Sequence, residues 1–244
     1  MWDNPRLLNL AAALAAALAA AILGYAALHA LARSPLFPLR ELHVTGTLAH
    51  TTRAEIERAA AGFGGNFFAA DLAELRARLE RLPWVRRVEL RRAWPDRVEA
   101  KLEEHVALAR WGEQGLISAR GELFPGRLGA EQAARLPLLA GPPGTEAEVV
   151  RRYLRFAEIL RPLGEAPERV ILTQRHAWQL RTGGGLQLEL GRDRGEPVER
   201  RLERFVAAYP ATLGRLAQAE PREPRVVDLR YPNGFALRVP EWRS

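Results

Sequence analysis

Between Arg6 and Arg33 the chain carries no charge. The stretch Leu7 to Ala32, LLNLAAALAAALAAAILGYAALHALA, would run about 39 Å as an α-helix. A bilayer core needs only about 20 apolar residues. The polar interruptions, Asn9 and His29, fall near the ends, within reach of headgroups and water. The pattern predicts a transmembrane helix over 7–32 behind a short tail, 1–6. Alanine is only weakly apolar, so Leu14, Leu18, Ile22, Leu23 and Leu28 must supply most of the insertion energy. Two other readings compete. A buried helix of a soluble protein is rarely uncharged over such a length. A cleaved secretory signal would use Arg6 as its n-region and Ala30-Leu31-Ala32 as its small-x-small site, yet the apolar run far exceeds the usual span of about 7–15 residues.

Charge does not orient the anchor. Arg6 and the terminal amine are offset by Asp3, while Arg33, Arg40 and Arg53 follow the apolar run. About 210 residues remain beyond it, enough for one large domain or two small ones. The chain has no cysteine, which excludes a disulfide framework and thiolate metal sites. Its net charge is +7, and of 36 basic residues only Lys101 is lysine. A basic balance can signal nucleic acid or anionic lipid. Acidic and basic residues alternate here without an aromatic-plus-basic module, so nucleic acid is not expected as a partner.

Residues 33–38 read as a stiff linker, because Pro35 and Pro38 fix φ and resist helix. Leu39 to Thr45 alternates as a strand and is ended by Gly46. Thr52 and Glu55 form a capping-box pattern that opens a helix with Ile56, Ala59, Ala60 and Phe63 on one face. Asp71 and Glu74 open the next, striped by Leu72, Leu75, Leu79 and Leu82 and stopped by Pro83. Trp84–Trp94 and Arg97–Glu104 read as strands around a Pro95-Asp96 turn. In the second, Val98, Ala100 and Leu102 alternate with charged residues. The order β-α-α-β-β predicts two helices on one face of a three-stranded sheet over 39–104.

From 105 to 244 the expected texture is a mainly antiparallel sheet with two helices, making the whole chain α+β. Leu108–Trp111 and Leu116–Ser118 suggest a hairpin, with a further strand by Phe124. Pro137–Gly144 reads as a Pro/Gly-rich crossing segment. Thr145 and Glu148 suggest a cap for a helix burying Val149, Tyr153, Phe156 and Leu160. Strands are expected at 169–173, 177–182 and 186–190, the last two joined by Gly183-Gly-Gly185. Pro197 opens a helix carrying Leu202, Phe205, Val206 and Tyr209. A final pair, 226–231 and 235–239, flanks Pro232-Asn233-Gly234, a tight-turn signal.

No catalytic constellation stands out. The three serines (Ser34, Ser118, Ser244) lack a nucleophile-elbow setting, and the five histidines lack ligand spacing. Gly183–Gly185 has no following Lys-Ser/Thr and reads as a hairpin turn. Glu103 and Glu104 point to opposite faces of a strand. No enzyme activity, cofactor, metal or small-molecule substrate is expected. What remains is surface: free edge strands recruit extended peptides by strand addition. Trp84–Arg92 and Phe235–Val239 are candidate edges, the first made basic by Arg86, Arg87, Arg91 and Arg92, which discourages self-pairing.

Four motifs, Leu82-Pro-Trp-Val-Arg86, Trp94-Pro-Asp-Arg-Val98, Glu104-His-Val-Ala-Leu-Ala-Arg-Trp111 and Val227-Asp-Leu-Arg-Tyr231, follow the anchor in an order and spacing that resemble the FtsQ/DivIB family of bacterial cell-division proteins. The resemblance implies a cytoplasmic tail, a single span, a POTRA domain at 39–104 and a β-domain at 105–244. It implies a non-enzymatic scaffold in the inner membrane at the division septum, with its bulk in the periplasm. The partners implied are FtsB and FtsL, with FtsK, FtsW, FtsI and FtsN further afield. By position, the FtsB contacts would be Arg175, Arg230, Tyr231, Asn233, Gly234 and Phe235, met by a strand added at the last β-strand region. Pro232 departs from the pattern; with no N–H to donate, it should face away from the added strand or precede it. Arg87, Leu90 and Arg92 match the region tied to FtsK. The competing function is a secreted periplasmic chaperone or POTRA-type transport adaptor released by signal cleavage.

Overall fold

The computed structural model describes residues 5–34, 37–212, 226–231 and 234–238. A continuous helix, α1 (Pro5–Arg33), contains the uncharged stretch and is long and apolar enough to cross a membrane. Its leucines, Leu14, Leu18, Leu23 and Leu28 among them, project outward without burial against the rest of the protein. Beyond it the chain falls into two compact units, the first ending at Glu104 and the second starting at His105.

The first unit has the order expected from sequence: β1 (Glu41–Thr45), α2 (Arg53–Ala59), α3 (Leu72–Leu79), β2 (Val85–Ala93) and β3 (Arg97–Glu104). The strands lie in the order β1-β3-β2, with β1 parallel and β2 antiparallel to β3. Alternation in β3 sends Val98, Ala100 and Leu102 into a core shared with Ile56, Leu75, Leu79 and Val88. The capping box at Thr52 forms: its hydroxyl accepts from the Glu55 N–H, and the Glu55 carboxylate accepts from the Thr52 N–H. Asp71 caps α3 by accepting from the N–H groups of Ala73 and Glu74.

Glu104 holds the entry to α2. Its carboxylate accepts from three consecutive backbone N–H groups, Ala49 (2.8 Å), His50 (3.2 Å) and Thr51 (2.6 Å). Glu103 turns to the other face and pairs with Arg86 at 2.9 Å.

In the second unit the strands are β4 (Ala107–Trp111), β5 (Gly115–Ser118), β6 (Leu123–Phe124), β7 (Leu138–Ala140), β8 (Pro167–Leu172), β9 (Ala177–Thr182), β10 (Gln187–Arg192), β11 (Val226–Asp228) and β12 (Ala236–Arg238). They form one nine-stranded sheet in the order β12-β11-β10-β9-β8-β7-β4-β5-β6. The helices are α4 (Ala130–Arg135), α5 (Glu146–Leu160) and α6 (Val198–Ala208). Most neighbours are antiparallel, but β4–β7, β7–β8 and β10–β11 are parallel. A parallel neighbour cannot be reached by a tight turn and needs a long crossover. The two long helices lie on such crossovers, α5 between β7 and β8 and α6 between β10 and β11. Both pack on one sheet face, burying Leu139, Val170, Trp178, Leu188, Leu190 and Val227.

Four expectations need correction. The Pro/Gly-rich segment at 137–144 contains β7, a fully paired internal strand whose three residues are too few to show alternation. A third helix, α4, buries no residue and so has no apolar stripe to read. Thr145 makes no side-chain cap; its hydroxyl donates to the Pro142 carbonyl at 2.6 Å instead. The connection between β11 and β12 is longer than a tight turn, running from Leu229 to Phe235.

The Glu104 carboxylate yields a pH test. Burial raises its pKa, but hydrogen bonds from Thr51, Ala49 and His50 outweigh this and hold it below the usual glutamate value. A depressed folded pKa stabilises the fold above the unfolded value, about 4.3, and that contribution is lost as pH falls through the lower folded value. Glu104→Gln should cost on the order of 1 kcal/mol at pH 7 after solvent screening, about 4–8 °C in the melting of the first unit. In thermal melts, the gap between wild type and variant should close below about pH 4.

Candidate partner-binding edge

The last strand of the sheet is also its rim. β12 pairs with β11 through Val226–Arg238, Val227–Leu237 and Asp228–Ala236. Among the described residues nothing pairs with its outer side. An outermost strand leaves alternate N–H and C=O groups pointing outward, ready for another chain. The expected edge at 235–239 is therefore a strand at a sheet edge, although only Ala236–Arg238 is described as paired.

The segment leading into this edge rests on a rigid base. Leu229 is buried, and its N–H donates to the Glu189 carbonyl of β10 at 2.9 Å. Arg230 is exposed and folds back on Asp228, donating from Nε to the two carboxylate oxygens at 2.8 and 3.0 Å. That bond and the nearby negative charge push the guanidinium pKa further up, so it stays cationic throughout. Tyr231 is 54% exposed, with its carbonyl accepting from Arg204 at 3.2 Å. Phe235 is half-buried and meets Phe205 of α6 edge-on at 5.4 Å. Gly234 has open space where a side chain would stand. Asn233 and Pro232 lie outside the described residues.

Under this segment sits a buried arginine. Arg201 of α6 is 8% exposed and donates to the carbonyls of Leu190 (2.7 Å), Arg192 (3.0 Å) and Arg194 (3.0 Å). It fixes the end of β10 just where β10 bulges against β9. Gly191, at φ +76°, lies within the bulge, and a Cβ there would come within 2.8 Å of the Arg230 stem. The missing side chain is the seat on which Arg230 rests. Arg204 links the same region to Glu196 at 2.6 Å, and that bond holds the Glu196 pKa below its usual value.

Arg175 is exposed on the turn between β8 and β9. The pairing of Ala177 with Arg192 puts that turn at the same end of the sheet as the β10 bulge and the Arg230 segment. The second unit thus sets Arg230, Tyr231, Gly234 and Phe235 beside its β12 edge, with Arg175 at the same end of the sheet but three strands in. Sequence reasoning missed Arg201, Gly191, Asp228 and Arg204. The readable signal was Arg201 itself, a charged residue on the buried stripe Val198, Leu202, Phe205 of α6.

In the first unit β2 is an edge strand, but Arg87, Leu90 and Arg92 do not form one patch. Leu90 faces the helices and packs on the core. Arg92, on the same face, donates to the carbonyls of Phe67 (2.7 Å) and Ala70 (2.6 Å), so it braces the segment before α3. Arg87 is on the opposite face, 3.5 Å from Glu89, and Arg91 pairs across strands with Glu99. The basic edge is thus largely compensated by neighbouring carboxylates.

Two family models match the chain: "POTRA domain, FtsQ-type" over residues 37–105, and "Cell division protein FtsQ/DivIB, C-terminal" over residues 109–230. The second match stops before Tyr231, Phe235 and β12. Among curated proteins, the Cell division protein FtsQ of Burkholderia pseudomallei is 40% identical over 98% of this chain and 94% of its own length. That of Nitrosospira multiformis is 38% identical over 98% and 99%, and that of Escherichia coli K12 is 34% identical over 82% and 72%.

Replacing Arg201 by methionine keeps the bulk but strands the buried Leu190 carbonyl and removes the bonds to the part-buried Arg192 and Arg194 carbonyls. A loss of about 3 kcal/mol is expected, read as a lower denaturant midpoint for the second unit. Arg201→Lys should recover only part of it, because an ammonium cannot span all three acceptors.

Proposed function

Because the chain belongs to the FtsQ/DivIB family of cell division proteins, we propose that it is a non-enzymatic scaffold of the division machinery. α1 anchors it in the inner membrane at the septum, with the tail 1–6 cytoplasmic and the two folded units, bounded at 39–104 and 105–244, in the periplasm. The second unit captures FtsB, and with it FtsL, by accepting a strand on β12. Through this complex the scaffold connects FtsK to the septal peptidoglycan synthesis machinery, including FtsW, FtsI and FtsN.

The observation that supports this reading most directly is the outer side of β12, unpaired among the described residues and flanked by a well-seated Arg230 and an exposed Tyr231. Strand addition draws affinity from backbone hydrogen bonds and selectivity from alternate side chains. Tyr231 provides a rigid amphipathic ring, and Gly234 lets a second backbone approach closely. Arg230 is already paired with Asp228, so an acidic partner residue would share the guanidinium with Asp228 or displace it. Arg175 offers a second cation at the same end of the sheet. Phe235, held against Phe205, acts as floor for the added strand. Asn233 and Pro232 complete the contact region by position, with pairing at β12 beginning after Pro232. On β2, Arg87, the partly buried Leu90 and Arg92 are the contacts proposed for FtsK, with Arg87 on the open face and the other two on the helix-facing side.

Capture of FtsB by the full-length protein and by Tyr231→Ala tests this reading. Truncating a central aromatic can cost 2 kcal/mol or more, about a thirtyfold loss of affinity. Undiminished capture by Tyr231→Ala would remove the proposed site. Orientation has its own check: a reporter active only in the periplasm, fused after Ser244, should be active.

A further inference from the structure

The first-unit sheet has a second edge, β1, which the proposed function leaves unused. Along one side β1 is paired with β3 from Glu41 to Thr45; along the other it has no strand neighbour among the described residues. Beside this free side runs a groove of about 660 Å³ between β1 and α2. Its floor is apolar: Leu42, Val44, Leu48, Ile56 and Ala60. All but Ile56 are only partly buried, so part of this apolar surface faces water. An open backbone edge beside an apolar trough is the shape that takes an added strand, with backbone on the edge and alternate side chains in the trough.

Charge narrows the occupant. The rim carries Arg53 and Glu57, which neutralise one another at 2.8 Å. A charged side chain entering the trough would find no partner on its floor and would lose its hydration. The incoming strand must therefore be uncharged at its inward positions.

Tethering narrows it further. α1 ends at Arg33 and β1 starts at Glu41, so the intervening chain spans at most about 29 Å even if fully extended. Three of its described residues are pinned: Asn66 Nδ2 donates to the Ser34 carbonyl at 2.5 Å, Phe67 N–H to the Phe37 carbonyl, and Leu39 N–H to the Gly65 carbonyl. The edge of β1 is thus held close to the end of the anchor. A chain anchored in the same bilayer presents its own first extramembrane residues at this height and at high effective concentration, which makes a short, weak strand addition useful.

We propose that the free edge of β1, with its groove, is a second docking surface. Its occupant is an uncharged extended segment, apolar at alternate positions, carried just outside the bilayer by another membrane-anchored chain. This goes beyond capture of FtsB at β12 and uses neither its strand nor its unit.

The test uses the full-length protein in nanodiscs with a photo-crosslinking residue in place of His43, which lines the groove from β1. The probe is a synthetic peptide with one Leu/Ala transmembrane helix, a short spacer and the strand Thr-Val-Thr-Val-Thr-Val. A control probe has lysine for each valine. The valine probe should give at least about tenfold more adduct than the lysine probe and should slow amide exchange at residues 41–45. Ala60→Arg, which places a long cationic side chain in the trough, should bring the adduct down to the lysine level while FtsB capture persists. Equal yields from the two probes, unchanged exchange at 41–45, or a yield untouched by Ala60→Arg would overturn the proposal. Predominant adducts between two copies of this chain would also overturn it, by making the surface a self-interface.

Discussion

Every open sheet ends in two strands that leave half their backbone groups without a partner, and those groups must be hydrated, covered or used. Among the described residues the two sheets have four such strands, β1 and β2 in the first unit and β6 and β12 in the second. They are treated differently. β6 is cut to two residues, Leu123–Phe124. β2 is long but lined with charge: Arg87, Glu89 and Arg91 stand on its open face, and Arg92 is drawn into the carbonyls of 67–70. β12 is short and β1 is bordered by apolar surface. Each of the last two carries a single charge, Arg238 and Glu41, against three on the open face of β2, and this difference separates protected edges from receptive ones.

A receptive edge works as a binding site only if the chain around it is already ordered, since ordering a loop on binding subtracts from affinity. Here the order comes from the core. The polar hub is Arg201, a cation held nearly dry because three carbonyls surround it. It freezes the end of β10, which leaves Gly191 under the Arg230 stem; Asp228 then takes the Arg230 head. Phe205, on the same helix face as Arg201, supports Phe235 from below. α6 therefore acts twice, as the crossover that lets β10 and β11 run parallel and as the platform for the segment between β11 and β12.

Much of this was legible in the sequence where periodicity was long enough to read. The capping box at Thr52, the Leu75–Leu79 stripe and the Val98-Ala100-Leu102 alternation specify the first unit almost residue by residue, because each is a local pattern with a single consistent partner. The second unit was less transparent. β7 is three residues between Pro137 and Gly141, and its strand character comes from β4 and β8 on either side. Thr145 had the spacing of a cap but found the Pro142 carbonyl nearer. The exposed members of the candidate site were read by resemblance. The residues that hold them were not, since a three-carbonyl clamp around Arg201 joins parts of the chain that only the folded sheet brings together. An arginine on an otherwise apolar stripe was the one local clue.

The membrane anchor changes what such edges need to achieve. A free strand in solution must overcome the full entropy of association, and a pairing of a few residues seldom does so. When both chains are threaded through one bilayer, most translational freedom is already lost, and the second contact becomes effectively intramolecular. On the proposed reading β1 and β12 can then each be weak and short, which keeps them from drawing in stray chains, yet be occupied together when correctly tethered partners gather. On the proposed reading selectivity follows from this geometry as much as from side chains: the bonds that hold Ser34, Phe37 and Leu39 limit β1 to segments near the membrane, whereas β12 belongs to a separate unit. A scaffold built this way has little need of a deep pocket. It needs edges that are each backed by a core rigid enough to hold the edge still.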